Sequence, residues 1–230
     1  MKSDTSCIRV SDTGICPYCK SKRLVKNGFT KNGKQQYHFK NCSKRSIDFY
    51  CYKSYQVNDK QIIQLTKEGL GIRSTARVLQ LSTTTLLKRI IKIARSLTSP
   101  QLINGRIYEV DEMRTYLRNK NNVLWIAYAL ERKTKSVVSF AIGRRTKRTL
   151  QNVISTLQLS NPKKIYTDGL KQYKSIIDKN IHFVTRFGTN HIERKNLSIR
   201  THLKRLNRKT ICYSKSFSVL MCIMRIYFWG

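Results

Sequence analysis

The chain has 230 residues, 46 of them lysine or arginine and only 12 aspartate or glutamate, for a formal net charge of +34. At 40% hydrophobic and 10% aromatic residues it can bury a core, which excludes wholesale disorder. It contains no run of about 18 uncharged apolar residues, so no membrane-spanning helix is expected. The N-terminal Met1-Lys2-Ser3-Asp4 leads into polar sequence without a secretory pattern, so a cytoplasmic location is expected.

The positive excess is not one basic tail. Residues 1–100 carry 20 basic and 5 acidic side chains, and residues 101–230 carry 26 and 7. Such a chain repels itself until a polyanion neutralises it, which points to nucleic acid. A membrane surface fits less well, because the basic residues are dispersed and no basic amphipathic anchor is present.

Seven cysteines in a cytoplasmic setting suggest metal ligands or buried thiols rather than disulfides. Cys16-Pro17-Tyr18-Cys19 has the two-residue gap that lets two thiolates reach one zinc ion from a tight turn. The segments 24–29 and 33–39 read as a hairpin, and Cys42 follows. A zinc ribbon would close with a second Cys-x-x-Cys, yet Phe39 stands three residues before Cys42. His38 and Cys51 are the candidates for a fourth ligand.

Residues 59–96 read as a helical module. Asp59 caps a first helix that stops at Gly69 and Gly71; Ile72–Leu79 forms a second, and Thr83–Arg95 a third behind the cap Ser82. Two short helices joined by Leu81-Ser82 match a helix-turn-helix, which would offer Arg73, Arg77, Thr83, Thr84, Thr85 and Lys88 to DNA. Residues 96–105, with Pro100, form the linker.

From residue 106 the pattern changes to strands. Residues 106–113 alternate, putting Glu109 and Asp111 on one face. Two apolar runs, 123–130 and 136–142, flank a charged hairpin turn. An amphipathic helix at 149–159, a strand ending in Asp168-Gly169, a short helix containing Tyr173, a strand at 181–184 and a long helix from about 190 follow. Three strands, helix, strand, helix, strand, helix is the order of a ribonuclease H-like domain. Ile192, Ile199, Leu203 and Leu206 form the stripe of the long helix that docks on the sheet. From Arg194 to Lys215 inclusive there are eight basic residues and no acid, and Arg194, Lys195, Arg200, Lys204 and Arg205 are candidate DNA contacts. His191 and His202 read as phosphate contacts, Trp125 as core, and 213–229 as a packed terminal helix.

Carboxylates are few, so each one retained in an apolar segment needs a reason. With this order of elements Asp111, Asp168 and Glu193 converge, spaced D-x56-D-x24-E. Magnesium is a hard ion that prefers carboxylate oxygen, and two such ions can serve attack at a phosphodiester and departure from it. Glu109 and Glu112, either side of Asp111, are the competing ligands.

These residues resemble a known family, the transposases of the bacterial insertion-sequence-one family within the DDE recombinases. The resemblance runs through C-P-Y-C at 16–19, V-K-N-G at 25–28, R-S-T-A-R-V-L at 73–79, Y-E-V-D-E-M at 108–113 and Y-T-D-G at 166–169. It closes with H-I-E-R-K-N-L at 191–197, R-T-H-L-K-R-L at 200–206 and R-K-T-I-C at 208–212. It implies an α+β multidomain chain: a zinc-ribbon-like finger at 1–55, a helix-turn-helix at 56–98 and a ribonuclease H-like DDE catalytic domain at 99–230. It also implies a catalytic triad of Asp111, Asp168 and Glu193 holding Mg2+, with Mn2+ as a substitute. Cys16, Cys19 and Cys42, with His38, would hold Zn2+, while Phe39 stands where the family carries a further cysteine. The implied partners are double-stranded DNA, as transposon ends and as target, and further copies of the chain assembled on it near the nucleoid. The alternative is a non-catalytic DNA-binding repressor derived from a transposase.

Overall fold

The computed structural model describes residues 10, 14–16, 18–31, 33–47 and 58–230. The chain divides into two compact units, residues 1–56 and 57–230. Cys51, a candidate zinc ligand, lies outside the described residues.

The first unit is a three-stranded antiparallel sheet of β1 (Leu24–Phe29), β2 (Gln35–Phe39) and β3 (Arg45–Ile47), in that order. The expected hairpin is β1–β2, and β3 is an addition to it. Along β2, Tyr37 and Phe39 are buried while His38 between them is not, as a period of two requires. The core is small: Val10, Cys16, Tyr37 and Phe39, with Leu24 and Cys42 packed against it.

The second unit is mixed α/β. It begins with α1 (Asp59–Lys67), α2 (Ile72–Val78) and α3 (Thr83–Ser96). The cap of α1 is Asn58, one residue before the expected Asp59, and its side chain accepts from the Lys60 amide at 3.0 Å. Ser82 caps α3 as expected, accepting from the Thr85 amide at 3.0 Å. Five strands follow: β4 (Ile107–Leu117), β5 (Asn119–Glu131), β6 (Val137–Gly143), β7 (Lys164–Tyr166) and β8 (His182–Phe183). Their order across the sheet is β6-β5-β4-β7-β8, antiparallel among β4, β5 and β6 and parallel from β4 to β7 and β7 to β8. The β4–β5 hairpin is longer than its apolar runs suggest. Polar residues at 114–122 continue the pairing around Arg118, which turns the chain with φ of 66°.

Helices α4 (Lys147–Gln158), α5 (Lys171–Lys174), α6 (Asn190–His202) and α7 (Phe217–Trp229) complete the unit. Alternation along the strands gives the sheet two apolar faces. Tyr108, Val110, Ala127 and Ala129 pack with Leu150, Val153, Ile154 and Leu157 of α4. On the opposite face Met113, Ile126, Tyr128 and Leu130 pack with Ile192 and Ile199 of α6 and with Leu220, Ile223 and Met224 of α7.

That second core also contains Ile62, Leu86, Ile90 and Ile93 of α1 and α3, so the helical segment at 56–98 is not a compact unit of its own. The reason lies in α7. A helix that is apolar nearly all round must be covered on several sides, and the sheet covers only one. The α1–α2 turn also abuts the end of α6. Gly69, with φ of 78°, lies so close to it that a Cβ would stand 1.8 Å from the His202 carbonyl oxygen. Helix α6 ends at His202, sooner than expected. Leu203 and Leu206 still reach the core, through the cap and a 3-10 turn at Lys204–Leu206.

Candidate metal centre

Strand β4 and helix α6 run side by side and are tied at two points by β4 carboxylates. Glu109 is fully buried. Its Oε1 meets His191 Nδ1 at 2.6 Å and Arg132 Nε at 3.2 Å, and its Oε2 accepts the Ile192 amide at 3.0 Å. That last bond satisfies one of the open N–H groups of the first helical turn. Two residues on, Asp111 Oδ2 accepts from Asn196 Nδ2 at 2.7 Å. The spacing suits both elements, since two strand residues advance about 6.7 Å and four helix residues about 6 Å. Glu109 is therefore a helix anchor, and His191 belongs to the same anchor rather than to a phosphate-binding surface.

The parallel register pairs Glu109 with Tyr166, and two residues beyond each lie Asp111 and Asp168. Carboxylate oxygens of Asp111, Glu112 and Asp168 all lie within 4.8 Å of one another. Asp168 Oδ1 accepts the Leu170 amide at 3.1 Å, which holds the turn leading into α5. Glu193 stands outside that trio but shares a groove with Asp111 and Glu112. The groove encloses about 600 Å³ and is lined by Asp111, Glu112, Glu193, Asn196, Arg200 and Arg208, among others. Glu193 Oε1 accepts from Thr189 Oγ1 at 2.8 Å and, among the described residues, makes no ion pair.

Burial raises the Asp111 carboxyl above its ordinary range, and the charges of Asp168 and Glu193 push the same way. Glu112 is raised too, chiefly by burial. Its Oε2 meets Arg145 at 3.4 Å, and the buried Tyr173 hydroxyl lies near enough to work against the rise, although the buried Oε1 makes no well-formed hydrogen bond. Crowded carboxylates with an unsatisfied buried oxygen fit a hard divalent cation, which takes oxygen ligands and relieves the repulsion. Of the two competing ligands read from the sequence, Glu112 joins Asp111 and Asp168, through the close approach of β4 to the end of β7, and Glu109 does not.

The remaining candidates divide. Arg73, Arg77, Thr83, Thr84, Thr85 and Lys88 are exposed on α2 and α3, and Arg194 and Lys204 are exposed on and after α6. Arg200 lines the groove beside Asp111. Lys195 and Arg205 are drawn inward: burial, and for Lys195 the nearby Lys67 ammonium, hold both below their usual ranges. His202 is exposed, with its Nδ1 2.8 Å from the Tyr227 hydroxyl. Trp125 is only half-buried, under the Arg145 guanidinium at 4.5 Å.

In the first unit Cys16, Cys19 and Cys42 bring their sulfurs within 4.8 Å of one another, and His38 does not join them. The β2 alternation explains this: Phe39 points into the small core with Cys16 and Cys42, so His38 faces the other way. The Cys16–Cys42 sulfur separation of 3.7 Å is far from a disulfide bond and close to the edge, about 3.8 Å, of a tetrahedron with 2.3 Å zinc–sulfur bonds. Burial works against ionisation of Cys16, but amide N–H groups of Cys19 and Tyr18, each 3.4 Å from its sulfur, hold the thiol below its usual range. Three cysteine sulfurs gathered this closely suit zinc.

Comparison with known proteins places this geometry. A family model described as IS1 transposase matches residues 106–228, more than half of the chain. The chain belongs to the IS1 transposase family. Among its relatives, the insertion element IS1 2 protein InsB of Escherichia coli (strain K12) is 36% identical over 126 residues, covering 51% of this chain and 75% of the relative. The iso-IS1n protein InsB of Shigella dysenteriae is 34% identical over 113 residues, covering 49% and 86%. The IS1 protein InsB of Shigella flexneri is 37% identical over 108 residues, covering 47% and 82%. Among solved structures, a chain of the simian T-cell lymphotropic virus intasome in complex with PP2A regulatory subunit B56 gamma aligns with 71% of this chain and 66% of its own. There the identity is 15% and the TM-score 0.38. The IS1 match contains Asp111, Glu112, Asp168 and Glu193, whereas α1–α3 and the cysteine cluster lie N-terminal to it. Among the described residues, no helix of this transposase is long and apolar enough to cross a membrane.

Proposed function

We propose that the chain binds the terminal inverted repeats of an insertion sequence and catalyses metal-dependent DNA cleavage and strand transfer, with Asp111, Asp168 and Glu193 as a DDE triad. The observation that carries this reading is the approach of Asp168 to Asp111, which itself lines a groove with Glu193, within a chain of the IS1 transposase family. The sheet order supports a ribonuclease H-like catalytic domain, in which the first and fourth strands are neighbours. Bound magnesium, or manganese in its place, would activate a water or a 3′-hydroxyl and stabilise the leaving oxygen at a phosphodiester.

The protein's own residues do the rest. Asp111 and Asp168 hold the cation from adjacent strands, and Glu193 supplies a carboxylate from α6. Glu109 fixes the height of α6 against β4, and with it the position of Glu193. Arg200 and Arg208 bring positive charge to the rim, where a phosphate backbone would enter. The exposed face of α2 and α3 reads duplex DNA, and the cysteine cluster holds zinc in a finger that assists at the ends. Two ends must be joined, so the active form is an oligomer on DNA.

Strand transfer in magnesium on DNA carrying the gene's flanking ends tests the reading, with wild type and Asp168→Ala side by side. The reading expects joined product from wild type alone, with product from the variant lowered by about 10³-fold or more and end binding retained. Equal joining by the variant removes Asp168 from the mechanism. End binding without joining by either protein would favour a DNA-binding repressor.

A further inference from the structure

We propose that Asn196 and Tyr128 are positioning residues that hold the Asp111 carboxylate in the orientation a divalent cation needs; this rests on the reading of Asp111 as a cation ligand. Asp111 and Tyr128 are direct partners across the β4–β5 ladder, so their side chains share one face of the sheet. That face is covered by α6, and Asn196 comes down from the helix to meet both. Its Nδ2 donates to Asp111 Oδ2 at 2.7 Å, and its Oδ1 accepts from the Tyr128 hydroxyl at 2.8 Å.

The chemistry leaves the amide one orientation. Its oxygen carries no proton, so the group beside it must donate, and Tyr128 does. A flipped amide would set its oxygen against the carboxylate; as it stands, the N–H₂ faces Asp111 and the oxygen takes the Tyr128 hydroxyl, which also lies 3.2 Å from the Ile192 carbonyl oxygen. The tyrosine is itself immobile: it is fully buried, and its ring stacks on Phe228 with centroids 5.5 Å apart. The other Asp111 oxygen, Oδ1, accepts the Glu112 amide at 2.7 Å. Each carboxylate oxygen thus receives one N–H, which fixes the plane of the group and leaves each oxygen a further lone pair.

Asn196 also couples two of the triad carboxylates. It lies three residues after Glu193, on the same stripe of α6. One hydrogen bond from this helix therefore sets where Asp111 stands relative to Glu193. Outer partners of metal ligands act in this way elsewhere, and their removal weakens metal binding or activity by about 10–100-fold.

The test is Mn2+ binding to the full chain, read from the free-ion paramagnetic resonance signal. Wild type is compared with Asn196→Ala, Tyr128→Phe, the double variant, and Asp168→Ala as control. The expectation for Asn196→Ala is Mn2+ affinity about 10–100-fold weaker, and for Tyr128→Phe a smaller loss, with a modest fall in Tm but the fold kept. The double variant should bind Mn2+ about as Asn196→Ala alone does, because the hydroxyl reaches Asp111 through the amide; its second bond, to the Ile192 carbonyl oxygen at 3.2 Å, does not touch the carboxylate. Wild-type affinity in Asn196→Ala, or losses that multiply in the double variant, would overturn the proposal. If truncation at 196 unfolds the chain, Tyr128→Phe decides alone, since it keeps the ring, and unaltered affinity there overturns the proposal as well. Mn2+ binding lost in Asp168→Ala but kept in the Asn196 and Tyr128 variants removes this inference and leaves the metal centre standing. No Mn2+ binding by wild type removes both.

Discussion

The two candidate metal sites are built in opposite ways. The cysteine cluster is local: Cys16 and Cys19 share one turn, Cys42 follows the next hairpin, and the core beneath them is four buried residues. The carboxylate centre is assembled from far apart, from β4, from the end of β7 and from α6, and stands on a sheet with an apolar core on each face. A thiolate site of the first kind holds its fold together, because there is little else to do so. A carboxylate site of the second kind opposes its fold, because crowded acids repel, and the surrounding core holds them in place. On the proposed reading, one metal would serve structure and the other chemistry.

Stripping the metals separates the two most sharply. With zinc chelated, amide-exchange protection in β1–β3 should fall by several orders of magnitude, since structural zinc contributes on the order of 10 kcal/mol to such folds. Protection in β4–β6 should not change. Unaltered protection in β1–β3 would mean that Phe39 and its neighbours suffice without an ion.

The second test concerns what holds the carboxylate centre. If α1–α3 and α6 share one framework, Gly69→Ala must disturb it. The new Cβ would collide with the His202 carbonyl at a backbone conformation few side chains adopt. A loss of about 3 kcal/mol is expected, roughly 6–12 °C in Tm for a unit of this size. A neutral result would show that the helical segment moves independently of α6.

The smallest effect tests the repulsion. Asp111 and Glu112 are raised above their ordinary ranges, chiefly by burial. In the window between the ordinary and raised values the folded state binds more protons than the unfolded one. The metal-free protein therefore loses stability as pH rises through that window, and divalent cation should restore it above the window. Asp168→Ala removes one of the repelling charges on Asp111, so it should raise the metal-free Tm by about 1–3 °C while abolishing strand transfer. A lower Tm would mean that the Asp168 turn matters more than its charge.

Much of this was legible in the residues. Apolar periodicity located the helices and the central strands, and the isolation of twelve acids among 46 bases drew the eye to Asp111, Asp168 and Glu193. What the residues left open were matters of register and surroundings. Nothing local says that Tyr128 stands opposite Asp111, since the β4–β5 hairpin extends through polar residues that read as loop. Glu109 looked like a rival ligand until α6 was seen to end on it. Phe39 could be read as a lost ligand, but not as the side chain that fills the finger's core and turns His38 away. The polar stripe Glu193, Asn196 and Arg200 stands at helical spacing, but Asn196 gained its meaning only once Asp111 and Tyr128 were found beneath it.

The most direct measurement is a crystal structure of the full chain soaked in Mn2+, with the ion located by its anomalous scattering. The account predicts density between the carboxylates of Asp111 and Asp168, with Asn196 still bonded to Asp111. Saturating Mn2+ with no ion at that point, or an ion held by Glu112 and not by Asp168, would contradict it.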